Sequence, residues 1–240
     1  MKDEERNLAR ALGSVPQGAR LLAIDAESSD RSVAIARRHG CEVVVRPWAG
    51  FVETRRYALG KVQTPWTFML DADEQLDAIL SAALAELKPE PATDGYTVAR
   101  ATFFCGQMMR HGSWGEERLL RLFRTGRANL VAEPVAGGAA QLHERWTVPG
   151  RTGRLQGTLL HYSYPSLADY RAKFERYTSL EAQGLPASAL GLGRAIGLAA
   201  LRAPYAFFVK SGWRDGWRGA YVALASAWYP VVVAWKALRA

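Results

Sequence analysis

Cysteine is scarce: Cys41 and Cys105 are the 2 thiols in 240 residues. Neither a disulfide framework nor a four-thiolate zinc site can be built from them, and both read as reduced packing residues. Histidine is nearly as rare, with 4 in the chain, so one placed beside an acid stands out. There is no internal repeat or low-complexity tract, and 22 Gly and 11 Pro without a triplet period exclude a collagen-like chain. No apolar stretch follows the polar start Met1-Lys2-Asp3-Glu4-Glu5-Arg6, so no signal peptide is read there and the expected compartment is the cytoplasm. One run, Gly219 to Trp235, lacks formal charge over 17 residues, the short limit of the roughly 17–25 that cross a bilayer. Pro230 interrupts it, and Arg214, Arg218, Lys236 and Arg239 flank it. It is expected to lie in an interface or pack on the globular part rather than span.

What the chain does have is enough apolar material for a core, at 49% hydrophobic and 22% charged residues, which argues against intrinsic disorder. The net charge of +8 is unevenly placed. Met1 to Glu144 carries 18 Lys+Arg against 19 Asp+Glu, or −1, and Arg145 to Ala240 carries 13 against 4, or +9. That basic stretch is also rich in Trp, Tyr and Phe, a combination suited to an anionic membrane surface. Nucleic acid is the weaker reading, because such sites show denser Lys/Arg clusters.

The first 90 residues alternate between helical and strand patterns, which predicts a parallel α/β sheet. Helices are expected at Lys2 to Leu12, at Arg31 to His39 with Ser29 or Asp30 as cap and Gly40 as stop, at Glu53 to Val62 and at Leu76 to Leu87. Strands are expected at Arg20 to Asp25, Cys41 to Arg46 and Trp66 to Leu70. Later strands are read at Gly95 to Phe104, Leu119 to Phe123 and Gly153 to Tyr162. Helices follow at Leu167 to Leu180, Leu190 to Leu201 and Trp213 to Leu238. The domain reading is a sheet domain over 1–165 and a basic, aromatic helical region over 166–240, the latter expected to associate with membrane.

Asp71-Ala72-Asp73, directly after an apolar strand, carries the strongest chemical signal. Two carboxylates on a strand-to-loop turn can divide the work, one reaching a hydroxyl and the other a hard cation such as Mg²⁺ or Mn²⁺. A solvated turn with Asp73 capping the next helix is the bland alternative. Asp25 ends another predicted strand, and ligand crevices of open α/β sheets lie at such carboxyl ends. Like charges meeting in one crevice need a cation or hydrogen-bond donors to offset them. A nucleoside diphosphate with a metal meets that need, whereas Asp25 starting a turn, with Asp30 as helix cap, is the simpler reading.

The stretches Asp25-Ala-Glu-Ser-Ser-Asp30-Arg-Ser, Arg46-Pro47-Trp48, Leu70-Asp71-Ala72-Asp73-Glu74, His111-Gly-Ser-Trp114, Arg118-Leu-Leu-Arg121-Leu-Phe123-Arg124 and His161-Tyr162-Ser163-Tyr164 follow one another in a familiar order. Over nearly the whole chain this resembles family 2 glycosyltransferases, in particular the branch that adds glucose to the lipopolysaccharide inner core. The resemblance implies a GT-A (Rossmann-like) nucleotide-sugar-binding sheet with a C-terminal amphipathic helical region, and inverting transfer of a hexose, from UDP-glucose, to a lipid-linked saccharide. It further implies an enzyme peripheral on the inner face of the cytoplasmic membrane. By position, Asp25, Asp71 and Glu4 would bind the donor, Asp73 would hold the metal, Mg²⁺ or Mn²⁺, and Glu117 would be the catalytic base, with Glu116 its rival. Arg121 would add positive charge at the diphosphate, and His143, beside Glu144, would complete the metal shell. Family members begin with a strand before the segment matched by Lys2-Asp3-Glu4-Glu5, and Arg56 stands where they usually have Asn. An aspartate-nucleophile phosphatase is disfavoured because Gln75 occupies the position where that fold wants Thr or Val. The remaining alternative is a membrane-docking relative that binds a saccharide without turnover.

Overall fold

The computed structural model describes residues 1–88, 90, 92–115, 117–132 and 144–239. They divide into two compact units. The first comprises Met1–Arg100, Arg118–Ala132 and Glu144–Tyr162, and the second includes Ala101–Glu117 and Ser163–Ala240.

In the first unit, α1 (Leu8–Gly13), β1 (Leu22–Asp25), α2 (Ser32–Arg38), β2 (Glu42–Val45), α3 (Phe51–Lys61) and β3 (Trp66–Phe68) succeed one another as the alternation predicts. Arg31 holds the N-cap position of α2, and the Asp30 carboxylate just before it accepts from Ser32 N, the first helical N–H, at 2.9 Å. Gly40 has φ +77 and stops that helix. Helix α1 begins later than the expected Lys2 because residues 3–5 are tied elsewhere. Asp3 N and Glu4 N donate to Ser28 Oγ and Ser32 Oγ, and Glu5 N donates to Asp30.

The wholly parallel sheet expected for this half is not what forms. β1 and β2 pair in parallel, as a two-stranded sheet of their own. After β3 come β4 (Glu74–Leu76), α4 (Ala78–Ala85), β5 (Thr93–Phe104), β6 (Gln107–Met108), β7 (Glu117–Arg124), β8 (Asn129–Ala132), β9 (Glu144–Thr147) and β10 (Arg151–Tyr164). A separate sheet runs in the order β3-β7-β5-β10-β4. There β3 pairs antiparallel with β7, and β4 antiparallel with β10. Both short strands are therefore sheet edges, and residues 69–73 carry the chain across the end of the sheet from one edge to the other. Met69 N donates to Arg121 O at 2.7 Å near the start of this crossing, and Tyr162 N donates to Asp73 O at 2.9 Å at its end.

Beneath the sheet, Leu76, Leu80, Tyr96, Val98, Leu122, Leu155 and Leu159 form one buried cluster. Helix α4 is capped by Asp77, which accepts from Leu80 N at 2.7 Å and from Thr158 N at 2.9 Å. The cap expected from Asp73 thus belongs to Asp77. The approach of α4 to β10 is closed by Gly157, whose φ is +86 and whose added Cβ would sit 2.2 Å from Leu80 N.

The second unit holds α5 (Leu167–Ala182), α6 (Ala189–Pro204), a π-helical extension Tyr205–Val209, and α7 (Gly216–Ala237). These match the three predicted helices closely. The stretch Ala101–Glu117, expected within the 1–165 domain, groups with these helices instead. Fully buried Phe104 explains this: its ring meets those of Trp114, Tyr164, Tyr170, Trp217 and Tyr221 within 6.3 Å.

Gly157→Ala is expected to destabilise the first unit by about 2–4 kcal/mol, combining backbone strain with overpacking. Gly126→Ala, with nothing within 4 Å of the added carbon, provides the control. Urea unfolding followed by far-UV circular dichroism reads both, and equal midpoints for the two variants would refute the close approach.

Candidate functional site

The crossing segment becomes a site because charged side chains of consecutive strands reach up to it. Arg121 stands on β7, Arg100 on β5, His161 on β10 and Glu74 on β4, four neighbours in the sheet. Glu74 is 1% exposed and pairs in register with His161. Arg121, 4% exposed, donates through Nη2 to Glu74 Oε1 at 2.5 Å and to Asp71 Oδ2 at 2.9 Å. Arg100 Nη1 lies 3.6 Å from the same Glu74 oxygen.

A second arginine arrives from α3. Arg55 Nη2 donates to Asp71 Oδ1 at 2.8 Å, and Nη1 donates to Glu144 Oε1 on β9. Asp71 is thus held by two guanidinium groups, one on each oxygen. Its backbone N–H also donates to Glu74 Oε2 at 3.0 Å, and Glu74 N donates back to Asp71 O at 3.0 Å, closing the turn. Asp73 takes a different partner, His161, whose Nε2 lies 3.2 Å from Asp73 Oδ2.

These contacts set the charge states. Burial by itself raises the Asp71 carboxyl, but the guanidinium groups of Arg121 and Arg55 outweigh it and hold Asp71 well below the usual carboxylate range. Burial dominates at Glu74, raising its pKa against the attraction of Arg121, and Asp71 adds to the rise. Burial would lower the pKa of Arg121, and the carboxylates of Glu74 and Asp71 overcome it, leaving the guanidinium charged at every accessible pH.

Asp25 is 0% exposed, at the tip of β1. It accepts from Ser28 N at 2.9 Å and Ser28 Oγ at 2.6 Å, so it starts a turn as the simpler sequence reading has it. On the side of β1 away from β2, the Met1 amino group donates to Ile24 O at 2.7 Å and Met1 O accepts from Ala26 N at 2.9 Å. Burial lowers the pKa of that amino group, while Asp25, Glu4 and Asp71 all pull it upward. One group therefore feels the acids of both strand tips together with Glu4. The Glu4 carboxylate accepts from Asn7 Nδ2 at 2.9 Å.

The other expected residues fare differently. Arg121 donates through Nη2 to both Asp71 and Glu74, so it holds these two acids together. Glu117 is exposed at the start of β7 and belongs to the second unit. His143 and Glu116 lie outside the described residues. Among the described residues no three His, Cys, Asp or Glu side chains converge as a metal cluster. Asp73 with His161 still fits a hard divalent ion, since Mg²⁺ is commonly held by one or two carboxylates with substrate phosphates completing its shell. Arg55 escaped the sequence reading, because its partners are 16 and 89 residues away and leave no local trace. His161 stood in a recognised motif, and its alternation along β10 was the available signal.

The family model for glycosyl transferase family 2 matches residues 1–142. The chain is 29% identical over 191 residues to the lipopolysaccharide core biosynthesis glycosyltransferase LpsC of Rhizobium meliloti, covering 75% of this chain and 67% of that protein. An uncharacterized glycosyltransferase of Rickettsia typhi is 25% identical over 190 residues, covering 77% of this chain and 65% of its own. The chain spans about two thirds of the length of these two curated relatives. Among solved structures, a mannosyltransferase from Pyrobaculum calidifontis in complex with GDP-Man and Mn²⁺ superposes with a TM-score of 0.46 at 13% identity, covering 100% of this chain and 72% of that one.

Arg121→Met strands the buried Glu74 carboxylate and leaves half-buried Asp71 with Arg55 alone, and is expected to cost about 3–5 kcal/mol of stability. Adding Glu74→Gln should recover part of that loss, because one stranded charge is removed. Chemical denaturation of the single and double variants measures the coupling, and strictly additive losses would mean the pair does not interact.

Proposed function

The chain belongs to glycosyl transferase family 2, and on that premise we propose that it is an inverting hexosyltransferase moving glucose from UDP-glucose to a lipid-linked saccharide of the lipopolysaccharide inner-core type. The observation that carries this reading is the crossing segment 69–73, which holds two carboxylates in different electrostatic settings. Asp71 is neutralised by Arg55 and Arg121 and is suited to hydrogen-bond a ribose hydroxyl. Asp73 lies against the imidazole of His161 at the end of the crossing segment. Asp25 and Glu4 line the same neighbourhood from β1 and the start of the chain.

Asp73, with His161 beside it and His143 as a further candidate, would hold Mg²⁺ or Mn²⁺. When bound, such an ion supplies positive charge to the diphosphate leaving group. Glu117 is assigned as the base that takes the acceptor hydroxyl proton, the one proton transfer that a single inverting displacement requires. Arg121 and Arg55 fix the segment from which the donor is gripped, so that little reorganisation is needed as charge develops.

An amphiphilic acceptor gives the second unit a purpose. Its helix α7 exposes Trp217, Leu224, Trp228 and Trp235, positions that recur on one helical face. The stretch Ala189–Val209 is long and apolar enough by composition to cross a membrane, with a mean hydropathy of 1.2 and 11% of it buried. Arg194 and Arg202 within it favour resting on an anionic surface over spanning. We place the protein on the cytoplasmic face of the inner membrane.

The test is transfer of radiolabelled glucose from UDP-glucose to core-truncated lipopolysaccharide with Mn²⁺ present. Asp73→Ala should lose transfer, and Glu117→Gln should lower kcat by about 10²–10⁴ while UDP affinity is unchanged. UDP binding by calorimetry without transfer to any saccharide acceptor would favour the binding-only relative. Undiminished activity in Glu117→Gln would remove that residue as the base.

A further inference from the structure

Two adjoining clefts open on the second unit and share Ser113 and Lys210. The larger, about 330 Å³, is lined by Arg110, His111, Ser113, Lys210 and Ser211, among others. The smaller, about 170 Å³, adds Arg202, Tyr205 and Ser226. No carboxylate lines either cleft among the described residues. Some basic groups of this unit have structural partners: Arg218 donates to Cys105 O and Gln107, and Lys236 donates to Glu175 and Thr178. The side chains of Arg110, Arg202 and Lys210 form no ion pair or hydrogen bond among the described residues.

The cleft walls are held firmly. Asp215, 4% exposed, accepts from Arg110 N at 3.0 Å, from His111 N at 2.8 Å and from His111 Nδ1 at 3.0 Å. An ionised carboxylate only accepts, so Nδ1 carries a proton and Nε2 is the ring's remaining polar atom. Gly112 N donates to Lys210 O at 2.9 Å, tying the two wall segments together. A Cβ on Gly112 would stand 3.3 Å from Gly212 Cα, and one on Gly219 would stand 1.8 Å from Gly212 O, so this contact tolerates no side chain. Ser211 takes φ +58, a left-handed conformation that non-glycine residues adopt at a cost and that gathers at functional sites.

We propose that these clefts bind a phosphoryl group of an amphiphilic ligand. Arg110, Lys210, the His111 imidazole and serine hydroxyls at the larger cleft, with Arg202 at the adjoining one, match the charge and many acceptor oxygens of a phosphate. The amphiphile is indicated by exposed Tyr205, Phe208, Val209 and Trp213 flanking the same residues in sequence. A phosphate on the saccharide acceptor and a phospholipid headgroup are two sources of this one chemistry. Identifying the ligand as an acceptor rests on the transferase reading, whereas the anion site rests on the cleft.

Glycerol 3-phosphate and neutral glycerol, titrated into the full chain at millimolar concentration without nucleotide, provide the soluble arm. Vesicles of phosphatidylcholine carrying phosphatidic acid or phosphatidylglycerol at equal surface charge provide the lipid arm. Glycerol 3-phosphate should bind, glycerol should not, and Lys210→Ala and Arg110→Ala should each weaken binding about tenfold, with Lys210→Arg retaining it. Preference for phosphatidic acid that disappears in the variants assigns the headgroup; soluble binding without that preference assigns a saccharide phosphate. Both substitutions fall on exposed side chains, and UDP binding by the same samples reports separately on folding and on the transferase reading. Absence of glycerol 3-phosphate binding together with no preference among vesicles, or binding that the variants leave unchanged, would overturn the proposal.

Discussion

The buried guanidinium of Arg121 is the interaction on which the first unit's site depends. Five donors in a fixed plane let one side chain hold Glu74 and Asp71 together, and those two carboxylates bracket the Asp71-to-Glu74 turn. Each charge resists burial alone, and mutual attraction repays the desolvation only when geometry and hydrogen bonds are good. Arg55 and Arg100 complete the balance, so three arginines stand against Asp71, Glu74 and Glu144. Asp71 is locked in its ionised form by guanidinium charge, whereas Asp73, two residues on, lies against the His161 imidazole.

That arrangement follows from sheet topology more than from the local Asp-Ala-Asp sequence. Residues 69–73 have to pass from the β7 side of the sheet to the β10 side because β3 and β4 occupy opposite edges. The segment closes as a turn between Asp71 and Glu74, and because it lies over strand ends its side chains meet whatever the strands below present. Those strands present Arg121, Arg100 and His161 in a row ending at the carboxylate of Glu74, which is why the crossing is anchored by charge instead of by apolar packing.

Local devices were legible in the sequence for this reason, and distant ones were not. The Asp30 carboxylate at the start of α2, the Gly40 stop and the three C-terminal helices depend on neighbours within a turn or two, and all three are found where residue type and period place them. Strand direction depends on partners far along the chain: Trp66 pairs opposite Arg124, and Gln75 opposite Leu160. An apolar run preceding Asp-Ala-Asp looks the same whether its partner lies parallel or antiparallel. Arg121 could be recognised as a charge near acids, but its pairing with Glu74, whose burial no local pattern records, could not.

The charge-free run in α7 illustrates how composition can merge two physical causes. Gly219, Val222, Ala223, Ala227, Val231 and Val233 are buried against the unit's other helices, and Ala199 of α6 packs with Ala227 and Val231. The lack of charge there is explained by helix packing, which small side chains favour by letting backbones approach. The tryptophans of the same helix remain outside, and a large ring with one polar N–H suits a boundary between apolar and wet surroundings better than a core. Small groups and the inward-facing Tyr221 and Tyr229, which meet Phe104 and Phe174, build the packing of this helix, and its tryptophans are left exposed.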